Sequence, residues 1–336
     1  MAFGGLMGRC AKRAFFGLAW LLAASVLSGA PVEAADLKLD IPFQSVGVGV
    51  LPFWVAVDGG AFKKYGIDVT TEFLAQSPTV IASMLSGDAP FAISGEDAVI
   101  SADLAGGDIV ILASGPEKLF FSIYGAKDVK SVTDLREKRV GISRFGATTD
   151  FVLRYILGQS GISPSDVSIL AVGTTASNLA AMRAGAIQAT VLAPPTTLKL
   201  KRLGFNQVAD MENYDLYFYT SPLIAKKSWV AAHHDETMNV VRGYVAGIAA
   251  THTNEKLARD VLAKYSQTTD EDILQGSLQA LLNILPKTPT PKPAAIQTGL
   301  DQNKLPAAKG ANAAKFIDAS FVDELQRDGF IDGLYK

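Results

Sequence analysis

The sequence predicts an α/β protein of two lobes with a helical tail, and three observations carry that prediction. Strand-like and helical runs alternate up to about residue 192, the signature of strand, crossover helix, strand. A passage also recurs roughly a hundred residues apart. Ala82-Ser83-Met84-Leu85-Ser86-Gly87, Pro90-Phe91-Ala92-Ile93 and Ser94-Gly95-Glu96 correspond to Ala180-Ala181-Met182-Arg183-Ala184-Gly185, Thr190-Val191-Leu192 and Ala193-Pro194-Pro195. Each copy reads as a small-residue helix ended by Gly, a short strand, and a loop at the strand's carboxyl end, where open α/β sheets bind ligands. Beyond residue 225 the patterning turns helical.

Taken in order, residues 1–34 read as an export signal. Arg9, Lys12 and Arg13 form a basic start, 14–27 is apolar, and Val32-Glu33-Ala34 fits a small-residue cleavage site. The apolar run of 14 residues falls short of the roughly 20 that a membrane helix needs, so no membrane anchor is expected. Cleavage near Ala34 removes Cys10, the single cysteine, and with it disulfides, thiolate metal sites and a cysteine nucleophile. Without Arg9, Lys12, Arg13 and Glu33, the 31 basic and 33 acidic residues fall to 28 and 32. That mildly acidic surface offers nothing to nucleic acid.

Strands are predicted over 37–43, 67–74, 90–93, 109–113, 119–124, 139–142, 167–172 and 190–192, with helices over 52–65, 79–85, 98–105, 148–159 and 176–183. Trp54 falls on an apolar helix face and reads as core. After 217–225, helices are predicted over 235–254, 255–265, 270–285 and 319–327. The Pro-rich break at 286–293 reads as a surface loop without function. The simplest architecture makes 35–123 plus 221–336 one lobe and 124–220 the other, joined by two crossings that form a hinge.

Several segments are similar to those of a known family: Pro52-Phe53-Trp54-Val55-Ala56-Val57-Asp58-Gly59-Gly60-Ala61-Phe62 with Tyr65-Gly66-Ile67-Asp68-Val69, Ser94-Gly95-Glu96, Ser131-Val132-Thr133-Asp134-Leu135-Arg136 before Val140-Gly141-Ile142, Phe145-Gly146-Ala147-Thr148-Thr149-Asp150, and Gly161-Ile162-Ser163-Pro164-Ser165-Asp166-Val167. As an ordered set they resemble the solute-binding proteins of ABC importers that handle aliphatic sulfonates, taurine, nitrate and pyrimidine precursors of thiamine. The resemblance implies a type II periplasmic binding protein fold, each lobe a mixed, mostly parallel sheet flanked by helices. It further implies a periplasmic monomer with a small-molecule solute and the transmembrane subunits of an ABC permease as partners, and no cofactor, metal or catalytic residue. Two departures stand out. Gln188 occupies a position that is often acidic, and Ala193-Pro194-Pro195 replaces the Trp-Asp-Pro common in the sulfonate branch. The second loses an aromatic wall and a carboxylate, which speaks against an alkyl sulfonate.

The loops expected to bind are few. Ser143 to Asp150 joins a strand to an apolar-periodic helix, and Gly146, Thr148 and Thr149 at that helix start suit an anion, with Arg144 adding charge; Thr148 or Thr149 also reads as a plain cap. Facing it, Ser94, Gly95 and Glu96 either form a capping-box-like start with Asp97 or let Glu96 accept hydrogen bonds from a donor on the solute. Gln44 and Ser45 open a Gly-containing turn that is a cleft wall or a simple connection. Phe145 stacks on a planar solute or packs on its own lobe, and Pro194 stands at the end of the repeated strand. Together these place an acidic or electron-rich group at 146–149 and a cationic or N–H-bearing group toward Glu96. Thr174 and Thr175 read as caps. His233, His234 and His252 have no metal-site spacing and read as structural. Two other functions remain open: an enzyme on the same fold acting on a pyrimidine or aromatic-acid metabolite, and a ligand-sensing partner of a membrane receptor.

Overall fold

The computed structural model describes residues 36–214 and 216–336, so the export signal predicted over 1–34 lies outside the described residues. Ten strands are present among them: β1 (Leu37–Asp40), β2 (Ile67–Thr70), β3 (Phe91–Ile93), β4 (Ile109–Ala113), β5 (Ser122–Gly125), β6 (Arg139–Ile142), β7 (Ser168–Ala171), β8 (Ala189–Leu192), β9 (Asn206–Asp210) and β10 (Leu223–Lys226). The first sheet sets β10 between β3 and β4, antiparallel to both. The parallel pair β1–β2 joins it where Phe43 bridges to Phe73 and to Ile93. The second sheet has the order β7-β6-β8-β5-β9. There β6 runs parallel to β7 and β8, while β5 runs antiparallel to β8 and β9. In each sheet one strand opposes the rest, and it is the strand the chain enters on arriving from the other sheet.

The α/β class therefore holds, with mixed sheets flanked by helices and a helical C-terminal part. Both copies of the repeated passage keep the predicted local order. Helix Ser77–Ser86 ends at Gly87 (φ 99°) before β3, and helix Thr175–Arg183 ends just before Gly185 (φ 69°) and β8. The predicted helix 52–65 is interrupted at Gly59-Gly60, where Gly60 is left-handed. Sequence reading missed β9, a polar edge strand paired only with β5, and the helices Thr196–Arg202 and Pro293–Gln302.

The Pro-rich segment needs correction. It is not a bare surface loop: Pro289 and Pro291 are buried, and the segment straps both passages between sheets. The Pro289 carbonyl accepts from Ser114 N (2.8 Å) and the Ile284 carbonyl from Glu117 N (3.0 Å), while Lys292 N donates to the Tyr219 hydroxyl (2.8 Å). Pro removes donors but leaves carbonyls free to accept, and composition does not reveal which buried amides they meet.

The first sheet's main core lies against helices Leu51–Asp58 and His234–Thr253. Trp54 is fully buried and stacks on Tyr265 at 4.4 Å and 3°, so the core reading of Trp54 stands. The two helices approach closely because Gly247 has no side chain: a Cβ there would sit 2.4 Å from Ala56 Cβ and 2.5 Å from the Pro52 carbonyl. Gly158, within helix Thr148–Gln159, faces open space instead. Gly247→Ala is therefore expected to destabilise by about 1–3 kcal/mol through overpacking, whereas Gly158→Ala stabilises by up to about 1 kcal/mol through helix propensity. Urea unfolding midpoints at unchanged slope check both, and equal effects at the two sites would contradict the packing argument.

Candidate functional site

Both opposed strands start at the edge where their neighbours end: Leu223 of β10 pairs with Ile93 at the end of β3, and Ser122 of β5 with Leu192 at the end of β8. The loops after β1, β6, β7 and β8 converge on that edge together with the residues just before β5 and β10. They enclose a cavity of about 310 Å³, within the size range of small-molecule sites. Gln44 and Ser45 follow β1; Ser143, Thr148 and Thr149 follow β6; Gly173 to Ala176 follow β7; Ala193, Pro194 and Pro195 follow β8. The passages between sheets add Phe120 and Phe121 on one side and Thr220 and Ser221 on the other.

Of the residues singled out from sequence, Gln44, Ser45, Thr148, Thr149 and Pro194 line this cavity. Gln44 is braced by its amide, which donates to the Thr220 carbonyl (2.8 Å) and Ser221 Oγ (3.3 Å). Its Oε1 and the Thr220 hydroxyl are buried on the cavity wall with no hydrogen-bond partner among the described residues, an arrangement that leaves polar capacity for a guest. Thr149 Oγ1 lies 2.7 Å from Ser143 Oγ and accepts from Ser143 N (2.9 Å), closing the turn after β6. The helix that follows has Ala147 at its N-cap and no side-chain cap, so neither threonine is the cap.

The other six lie outside the lining. Gly146 is left-handed (φ 82°), which explains the glycine, and its N–H is taken by Asp150 Oδ2 (3.0 Å). Arg144 donates to Gln76 Oε1 (3.3 Å), and Phe145 is 54% exposed. Ser94 is fully buried and still extended, its N–H donating to the Pro222 carbonyl (3.4 Å). Gly95, not Ser94, is the N-cap of helix Glu96–Leu104, and no side chain caps it, so the capping-box reading fails. A side chain on Gly95 would collide with Asp97 Oδ1 at 2.4 Å. Glu96 is fully buried, where its Oε2 accepts from Tyr219 N (2.9 Å), and a Cβ on Gly299 would come 3.0 Å from its Oε1.

Sequence reading missed several lining residues. Phe120, Phe121, Thr220 and Ser221 precede opposed strands, so a search of strand carboxyl ends passes over them. Thr174 is a cap, accepting from Ser177 N (3.2 Å), yet it also faces the cavity. Asn178, almost fully buried, donates to the Gly173 and Thr174 carbonyls (3.2 and 3.1 Å) and accepts from Thr190 Oγ1 (2.9 Å), which ties the loop after β7 to β8. Lys199 is the one charged residue in the lining among the described residues; it lies one turn after Pro195 on helix Thr196–Arg202, which local sequence pattern does not reveal.

Contacts between the two halves of the chain flank the cavity. Thr148 Oγ1 donates to Asp97 Oδ1 (3.4 Å) beside the Arg144–Gln76 bond, and Arg202 pairs with both Asp270 and Asp272, the latter at 2.8 Å. Burial pushes the Asp97 carboxyl up to about 6, against the pull of the Ala98 N–H, its own N–H and the Thr148 hydroxyl. Burial also raises Glu96 well above the carboxylate range, opposed by the Tyr219 N–H and reinforced by the Asp97 charge. No group of His, Cys, Asp and Glu able to hold a metal ion occurs among the described residues, nor any helix long and apolar enough to cross a membrane.

Comparison with known proteins gives concordant results. The profile of the family described as "NMT1/THI5 like" matches residues 48–258 of the 336. The chain spans about a third of the length of the curated relatives it matches: a Brucella abortus (strain 2308) protein provisionally named as a binding protein is 26% identical over 116 residues, 34% of this chain and 35% of that protein. Among solved structures, a Bordetella bronchiseptica RB50 protein superposes with a TM-score of 0.76 at 20% identity, covering 87% of this chain and 98% of its own. The alkanesulfonate-binding protein SsuA of Xanthomonas axonopodis pv. citri, bound to MOPS, gives 0.72 at 18%, covering 85% and 99%. The periplasmic nitrate-binding protein NrtA of Synechocystis PCC 6803 gives 0.75 at 15%, covering 90% and 91%. At these identities the likeness establishes the periplasmic binding protein fold.

The Asp97 carboxyl yields a signed expectation. Its native form holds a proton to about pH 6 and its unfolded form only to about 3.9, so the native state binds the extra proton between them. Stability accordingly falls as pH rises through that window, by on the order of 1–2 kcal/mol after allowance for partial exposure, and the loss is complete above it. Urea denaturation from pH 4 to 7 should show a smaller drop for Asp97→Asn than for the wild type, and parallel curves would refute the assignment.

Proposed function

The chain belongs to the NMT1/THI5-like family, and from that premise we propose that it is the solute-binding component of an ABC import system, closing on a small polar or anionic organic solute. The observation that carries this reading is the cavity itself, lined from both sheets and flanked by polar contacts that bridge them. In this reading the boundaries drawn from sequence, 35–123 plus 221–336 and 124–220, shift to the sheets: 36–113 and 223–336 form one lobe and 122–210 the other, since Ser122 and Ile123 pair with β8 and β9. The passages at 114–121 and 211–222 are the hinge, and the Asp97–Thr148, Gln76–Arg144 and Arg202–Asp270/Asp272 contacts break on opening. The protein acts as a periplasmic monomer and presents its closed form to the permease.

The chemistry of the wall supports binding over turnover. Its hydroxyls, amides and aromatic rings include no His, Cys, Asp or Glu, the side chains that most often serve as general acids, bases or thiol nucleophiles. Two buried polar atoms of the wall, Gln44 Oε1 and Thr220 Oγ1, have no partner among the described residues and are groups a hydrogen-bonding guest would satisfy.

Thermal-shift screening of the purified protein against sulfonates, carboxylates, nitrate, pyrimidines and amino acids tests the reading. A ligand at 100 times its dissociation constant adds about 2.7 kcal/mol, a rise of a few degrees in Tm. The matching ligand should also reduce the radius of gyration in small-angle X-ray scattering. A protein that responds to no class, or that converts the ligand it binds, would overturn the proposal.

A further inference from the structure

Among the described residues, the cavity lining includes one basic residue and no acidic one. Lys199 is its single charged lining residue, partly buried, and its ammonium makes no ion pair or side-chain hydrogen bond among the described residues. Its neighbours on the same helix differ: Arg202 is committed to Asp270 and Asp272, and Lys201 is exposed. An ammonium at the wall that no carboxylate among the described residues has claimed is free to pair with a bound anion, and charge-assisted hydrogen bonds of that kind are the stronger ones.

The remaining wall fixes the body of such a guest. Phe120 and Phe121 stack nearly parallel, with ring centres 5.8 Å apart and planes at 12°, and both line the cavity together with Phe73, which is 44% exposed. Aromatic faces gather planar apolar groups, which stack on them offset or edge to face. A bare inorganic anion would leave these rings in contact with water. An amino acid zwitterion or an amine would bring an ammonium into a wall that has no carboxylate among the described residues.

We propose that Lys199 selects the solute of this receptor, and that the solute is an organic monoanion, a carboxylate or sulfonate, on a planar apolar body that lies against the phenylalanines. This rests on the solute-binding reading above and names its ligand class. Lys199 confers selectivity for charge, and Phe120, Phe121 and Phe73 confer selectivity for shape.

Isothermal titration of the purified full chain with benzoate, benzenesulfonate, benzamide, benzylamine, phenylalanine and nitrate tests it, using wild type, Lys199→Met and Lys199→Arg. Wild type should bind benzoate or benzenesulfonate at least tenfold more tightly than benzamide, benzylamine, phenylalanine or nitrate. Lys199→Met should lose that preference while keeping the unliganded melting temperature, and Lys199→Arg should retain it. A wild type that prefers a neutral, cationic or zwitterionic probe overturns this inference and leaves the receptor reading intact, as does a Lys199→Met protein that still prefers the aromatic anion. Binding of none of these six probes also overturns it. The receptor reading falls only if the wider thermal-shift screen is silent too.

Discussion

The rest of the structure depends on the insertion of β10 between β3 and β4. Without it these two strands have no hydrogen-bonded link to each other, because β10 is the one strand with which each forms a ladder among the described residues. The chain must therefore leave the first sheet after β4, build the second, and come back before the first is complete. That return is why β10 runs against its neighbours and why Thr220 and Ser221, at its start, meet the loops at the ends of the other strands. The same reversal at β5 brings in Phe120 and Phe121. Two opposed strands thus turn an edge that would carry only strand-end loops into one that carries both passages between the sheets.

Buried charge is divided between two tasks. Glu96 and Asp97 sit beside the second passage and beside Thr148, not in the cavity wall. The fully buried Glu96 carboxyl accepts from Tyr219 N, and Glu96 N donates back to the Tyr219 carbonyl (3.0 Å). This two-way bond fixes the passage to the start of helix Glu96–Leu104. Burial shifts the Glu96 carboxyl toward its neutral form, which is far cheaper to bury than the ion. With the acids used in this way, the cavity is left with hydroxyls, amides, aromatic rings and Lys199.

The helical C-terminal part contributes to this geometry and enters the lining only at Ser266. Carbonyls at 284 and 289 and the amide at 292 hold Ser114, Glu117 and Tyr219, and Gly299 lets helix Pro293–Gln302 close over Glu96. Composition marks this segment only as Pro-rich, because backbone acceptors carry no sequence signal of their own.

The sequence alone determined the α/β class, most strands and helices, the glycine-ended repeat and the core role of Trp54, since these follow from local apolar periodicity and from positions where only glycine is unstrained. It also drew attention to Gln44, Ser45, Thr148, Thr149 and Pro194, all at strand ends. Tertiary structure alone decided that Glu96, Ser94 and Gly95 stand outside the lining, behind Ser77 and Thr148, that Arg144 and Gly146 are engaged with Gln76 and Asp150, and that Lys199 and the residues before β5 and β10 line the cavity. The physical reason is one of range. Periodicity and capping act over a few residues, whereas the direction of a strand and the partner of a buried charge are set by segments more than a hundred positions apart, as with Glu96 and Tyr219.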